Sequence, residues 1–244
     1  QDVGLEGNAV DHPGHFLYLA GRLLDVLHGA HHLGHRVAAL GGHGRCLAGH
    51  VLGAGCCFGG LVQALRHLLP WEAVATRNMP RVMIEAVAMT PIGPVRLMTT
   101  HLEYSSSLLR AAQVEAIRQA HRMATARHAT PREAGPHTYR MTPASRDAIL
   151  TGDFNMLPDD PVLTQLTAPF DGDVEPLTDL WRRLKGDEQH PLSANIFDQT
   201  YGAAGCLDYV LATPNLAARA RSIFYDVDTQ VSDHQPILVE FDVN

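Results

Sequence analysis

The run Ile149-Leu150-Thr151-Gly152-Asp153-Phe154-Asn155 constrains this chain most. An apolar strand stops at a glycine and then presents a carboxylate and a carboxamide two residues apart. Packing of an apolar strand gives no reason for such residues there. Three other segments end in the same way: Thr100-His101-Leu102, Leu207-Asp208-Tyr209 and Ser232-Asp233-His234. Together they predict a sheet-based α/β fold whose polar chemistry collects at strand ends.

Length and composition fit that reading. A chain of 244 residues suits one large α/β domain, with two small domains as the alternative. An apolar fraction of 45% with 18% charged residues is ordinary for a globular protein. No run approaches the roughly 18 apolar residues of a membrane span. The start lacks the charged and apolar regions of a signal peptide. A net charge of −7 argues against a broad hold on DNA, which depends on cationic side chains neutralising phosphates. Cys46, Cys56, Cys57 and Cys206 form no CxxC pair, so neither a disulfide framework nor a zinc ribbon is indicated. The expected setting is reducing and cytoplasmic.

The chain changes character near residue 60. Residues 1–60 hold 8 of the 15 histidines and 14 of the 21 glycines, but only four acidic residues. We expect an atypical segment there, part of or appended to a domain over 61–244. A frame-shifted stretch would have the same composition. His28, His31, His32 and His35 could share one helical face and bind a transition metal, although a solvated face is the commoner meaning of such a stripe.

From residue 61 the pattern is firmer. Residues 81–89 and 94–100 read as a hairpin, because Thr90-Pro91-Ile92-Gly93 is turn chemistry. Ser105 to Ser107 can cap a helix from about Leu108 to Arg127, with Leu109, Ala112, Ala116, Ile117, Ala120, Met123 and Ala124 as its apolar stripe. Residues 130–146 read as a surface loop. Ala148 to Thr151, Cys206 to Ala212, Ala220 to Asp228 and Pro236 to Val243 read as strands. Pro161 to Leu166 and Leu177 to Lys185 read as short helices.

The candidate chemistry follows from residue type. Asp153 could orient or deprotonate water, and Asn155 could donate to a phosphoryl oxygen; an Asx turn would explain the same pair. His101 could bond or protonate a phosphoryl oxygen, whereas a lone strand-end histidine is more often structural. Asp208 interrupts an apolar strand, and a buried carboxylate is costly unless paired. His234 is its expected partner, and could itself serve as acid or base near neutral pH. Asp233 could touch a cation. Glu103 and Tyr104 are expected to face solvent without a role.

In combination, Thr99-Thr100-His101-Leu102-Glu103, Leu150-Thr151-Gly152-Asp153-Phe154-Asn155, Cys206-Leu207-Asp208-Tyr209-Val210-Leu211 and Ser232-Asp233-His234-Gln235-Pro236 resemble the endonuclease/exonuclease/phosphatase (deoxyribonuclease I-like) superfamily over about residues 61–243. The resemblance implies a four-layer α/β/β/α sandwich of two mixed sheets. It implies phosphoester hydrolysis dependent on Mg²⁺ or Mn²⁺. The substrate would be a phosphate ester: a small molecule, a lipid headgroup or a nucleic acid. By position, His101 would support the phosphate, Asp153 would align water, and Asn155 would hold the phosphoryl group. Asp208 would orient His234, and Asp233 would lie at the metal edge. One departure matters. The family's N-terminal Asn and Glu motifs, which help hold the cation, are not found in residues 1–60. A catalytically silent relative of the same fold is therefore the alternative.

Overall fold

The computed structural model describes residues 61–69, 81–130 and 144–243. The His28 to His35 stripe, Cys46, Cys56, Cys57 and most of the 130–146 loop lie outside the described residues, as does the expected segment 1–60.

A central sheet carries the site. Strand β1 spans Leu61–Leu68, β2 Val82–Thr90 and β3 Gly93–His101. The β2–β3 hairpin closes where the sequence predicts: Thr90 pairs with Gly93, and the Thr90 hydroxyl donates to the Gly93 carbonyl at 2.6 Å. Strand β4 (Ala148–Asp153) runs parallel to β3, and β6 (Asp208–Ala212) runs antiparallel to β4. The short β5 (Thr178–Asp179) completes a six-stranded mixed sheet of order β1-β2-β3-β4-β6-β5. Strands β7 (Ala220–Tyr225) and β8 (Ile237–Phe241) form an antiparallel pair. Leu150, Tyr209 and Leu211 from the first sheet and Ile223, Tyr225, Val239 and Phe241 from the second belong to one buried apolar core. The expected α/β/β/α sandwich is borne out, with β7 and β8 representing its second sheet among the described residues.

Helix α1 (Ser107–Ala129) begins at Ser106, whose side chain accepts from the Leu109 amide. Its buried face keeps Ile117 and Ala124 of the expected stripe but adds polar groups that the stripe did not include. Arg110, Gln113, Arg118 and His121 are buried beside Val114 and Ile117, whereas Met123 is 56% exposed. The polar groups tolerate burial because each has partners. Arg118, for example, donates to the carbonyls of Leu166, Ala168 and Pro169.

Helix α2 (Pro161–Thr167) is capped by Asp160. The stretch 177–185 is not one helix: it splits into β5 and α3 (Leu180–Lys185), because Asp179 ends the strand and caps the helix. A fourth helix, α4 (Pro214–Arg219), was not anticipated, although Thr213-Pro214 is a regular helix opening.

Candidate active site

The sheet register assembles the site. In β3, β4 and β6, His101 pairs with Asp153 and Asp153 pairs with Asp208. Directly paired residues share a face of the sheet, so three strand ends place their polar side chains in one row. The row depends on Gly152. Its φ of +146° is open only to glycine, and a Cβ there would lie 1.9 Å from the Thr100 carbonyl oxygen.

Around that row the side chains converge on one oxygen. His101 Nε2 lies 3.2 Å from Asp153 Oδ2, and His234 Nε2 lies 3.8 Å from the same atom. The other ring nitrogen, Nδ1 of His234, is 2.8 Å from Asp208 Oδ2. Asp153 Oδ1 accepts from the Asn155 amide at 2.8 Å, and the Asn155 side-chain amide donates to the Leu102 carbonyl at 2.9 Å. Asn155 sits at φ +50°, a conformation asparagine tolerates. The Asx turn is thus present, and it aims Asp153 at the two imidazoles.

Ser193 is a residue that sequence reasoning missed. It is fully buried, and its hydroxyl donates to Asp208 Oδ2 at 2.7 Å while accepting from the Leu207 and Asp208 amides. Its neighbour Ala194 bridges to His234. One short segment thereby positions both halves of the Asp208–His234 pair. Its only sequence signal is Pro191 just upstream, which marks a turn.

Glu103 corrects an expectation. It is 2% exposed rather than solvent-facing. Its carboxylate accepts from the Ser105 amide, its amide donates to Gln113 Oε1, and its carbonyl accepts from Arg110. Arg81, also buried, lies 3.8 Å away through Nε. Glu103 roots the loop after His101 onto α1. Tyr104 is exposed as expected.

Electrostatics divide the groups. Burial raises the Asp153 carboxyl well above the ordinary carboxylate range, and the Asp208 charge adds to this; His234, the Asn155 amide and Arg81 oppose it. Burial would lower His234, but the hydrogen bond and charge of Asp208, with Asp153 and Asp233, push it up to about 9. His234 is therefore an imidazolium at neutral pH, with both N–H groups able to donate.

Five of the six candidates, His101, Asp153, Asn155, Asp208 and His234, come together. Asp233 stands apart: it is exposed, its carbonyl accepts from the Asn195 amide, and its carboxylate accepts from Ser232. No group of three or more His, Cys, Asp or Glu among the described residues could hold a metal ion. Mg²⁺ takes near-octahedral oxygen ligands. The buried Asp208 Oδ1 has no hydrogen-bond partner, but both Asp153 oxygens and Asp208 Oδ2 are engaged. The described residues alone do not fit a divalent cation.

Against known proteins, the profile of the "Endonuclease/Exonuclease/phosphatase family" matches residues 73–234. A mannosyl-6-phosphatase from Bacteroides thetaiotaomicron superposes with a TM-score of 0.52 at 16% identity, over 75% of this chain and 67% of that one. An endonuclease/exonuclease/phosphatase from Bacteroides vulgatus gives 0.53 at 13% identity, over 76% and 66%. A truncated TDP2 from Caenorhabditis elegans gives 0.51 at 15% identity, over 77% and 67%. The chain spans about two thirds of the length of each. A search of curated proteins finds no significant match. Among the described residues no helix is long and apolar enough to cross a membrane.

Proposed function

Because the chain belongs to the Endonuclease/Exonuclease/phosphatase family, we propose that it hydrolyses a phosphoester at the site where His101 and His234 meet Asp153. One observation carries this reading: two imidazoles converge on Asp153 Oδ2 while Asp208 holds the second ring from behind. The roles follow. Asp153 aligns water and accepts its proton as the new P–O bond forms and the ester P–O bond breaks, the departing alkoxide taking its proton from solvent; its raised carboxyl suits a base near neutrality. His234 donates from Nε2 to a phosphoryl oxygen and can pass it a proton. Asp208 positions that ring. His101 supports the phosphate, and Asn155 offers its second amide hydrogen to the phosphoryl group.

The family resemblance adds Mg²⁺ or Mn²⁺, which would polarise the phosphoryl oxygen, with Asp233 at the edge of its site. The cation's remaining oxygen ligands would have to come from outside the described residues.

Hydrolysis of bis(p-nitrophenyl) phosphate with Mg²⁺ or Mn²⁺ tests the reading. Wild type should release nitrophenolate, and Asp153→Ala and His234→Ala should abolish release. An inert wild type, or fully active variants, would refute it. That the described residues offer no cation-holding group favours a second reading, a silent binder of phosphorylated ligands. Inorganic phosphate binding by calorimetry without any turnover would support that one.

A further inference from the structure

The loops that frame the site share an unusual surface. Tyr104 follows His101 by three residues and is 58% exposed; Leu157 follows Asn155 by two and is 51% exposed. Phe197 at 51% and Tyr201 at 74% lie on the loop that Ser193 begins, and Val231 at 89% precedes His234 by three residues. These loops are joined to one another. The Tyr104 hydroxyl donates to the Tyr201 carbonyl at 3.0 Å, and the Asn195 amide donates to the Asp233 carbonyl at 2.9 Å. A Cβ on Gly205 would meet Leu157 Cδ2 at 3.1 Å, so the 155–158 and 192–205 loops touch. Exposed apolar side chains thus recur as a rim on the loops that carry His101, Asn155, Ser193 and His234.

The charge of the same rim restricts what it can take. Segments 102–108, 154–160, 191–205 and 226–234 contain no Lys or Arg, yet carry Asp159, Asp198, Asp226, Asp228 and Asp233 besides Asp160, which pairs with the buried Arg110. A nucleic-acid strand needs cationic side chains along its backbone. This rim offers the reverse.

We propose that the rim is the specificity surface of the site and receives the uncharged, apolar organic substituent of a dissolved phosphoester, not a polyanionic strand. Tyr104, Leu157, Phe197, Tyr201 and Val231 cover that substituent, while the phosphoryl group sits at Asp153 and His234. This rests on the phosphoesterase reading and names its substrate class.

The test holds the leaving group constant. Full-length protein is assayed on p-nitrophenyl alkyl phosphates with methyl, butyl and octyl substituents, together with an eight-residue thymidine oligonucleotide as competitor. The expected kcat/KM rises about tenfold or more from methyl to octyl. Phe197→Ser with Tyr201→Ser should bring the octyl-to-methyl ratio close to one. The oligonucleotide should not inhibit at low salt. A flat profile in wild type, or strong oligonucleotide inhibition, overturns the assignment while leaving the phosphoesterase reading intact. No turnover on any ester removes both. Sedimentation of the protein with phosphatidylcholine vesicles, lost in the same double variant, would assign the rim to a membrane surface and overturn the proposal.

Discussion

Asp208 holds His234 through Nδ1, which leaves Nε2 as the nitrogen that faces Asp153. The bond does two jobs: it fixes the ring, and it keeps the ring charged against the effect of burial. Asp208→Asn should lower kcat by about 10³-fold or more, as for other imidazoles deprived of their carboxylate. Asp208 helps push the His234 ring up to about 9, so in the variant its NMR resonances should titrate at least one unit lower than in wild type. An unchanged titration would mean that Asp208 is not what raises the ring. Since the imidazolium is the donating form, wild-type activity should decline as pH rises through about 9. Gly152→Ala is a harsher change, because the new Cβ meets backbone and not a movable side chain. It should cost more than about 4 kcal/mol in urea unfolding, or prevent folding. The Asp208–His234 pair was legible in the sequence, since a carboxylate inside Leu207-Asp208-Tyr209-Val210 demands a partner. Ser193 and Glu103 were not. A serine in a loop, or a glutamate beyond a strand end, shows its partner only after distant segments meet.

Helix α1 shows what an element can hide. The helix was readable from its serine cap and spacing, and Ile117 and Ala124 of its expected stripe are buried, but the polar part of its buried face was not. Apolar periodicity turned Leu109 and Met123 inward, whereas the fold buries Arg110, Gln113, Arg118 and His121. Periodicity cannot foresee a buried face made of polar groups that bond to distant segments. His121 is the most consequential. Arg96 Nη2 donates to its Nδ1 at 2.6 Å, so its Nε2 carries the proton and donates to the Glu175 carbonyl at 2.9 Å. Burial, then the Arg96 charge, depresses the ring to about 4. A depressed imidazole favours the folded state when neutral. That contribution is complete above about pH 6.5 and is lost as pH falls toward 4. The loss should be on the order of 3 kcal/mol at most. His121→Gln, which cannot titrate, should flatten the fall in urea midpoint between pH 7 and pH 4.5. An equally steep fall in the variant would place the acid sensitivity elsewhere. The short elements β5 and α4 were less legible for another reason: two to six residues carry too little periodicity, and only the caps Asp179 and Thr213-Pro214 mark them.

At the scale of the whole molecule, the described residues bring carboxylates and imidazoles together but, among themselves, no group that could hold a metal ion. Asp153, Asp208, His101 and His234 are held by one another, by Ser193 and by Asn155. Among the described carboxylates of this centre, Asp208 Oδ1 is a buried oxygen without a hydrogen-bond partner. A ligand that binds only the folded state raises its stability by mass action, by about 2.7 kcal/mol at a hundredfold excess over Kd. On the phosphoesterase reading, millimolar Mn²⁺ or Mg²⁺ should raise the thermal midpoint of the full chain. The rise should shrink in Asp208→Asn, which removes the charge behind that oxygen, and should parallel the cation dependence of nitrophenolate release. Calcium, which prefers a larger and looser shell, should stabilise without restoring equal turnover. A midpoint that no divalent cation moves, together with absent hydrolysis, would decide for the silent binder. The fold would then keep the family's anion pocket and proton network without the ion that drives the chemistry.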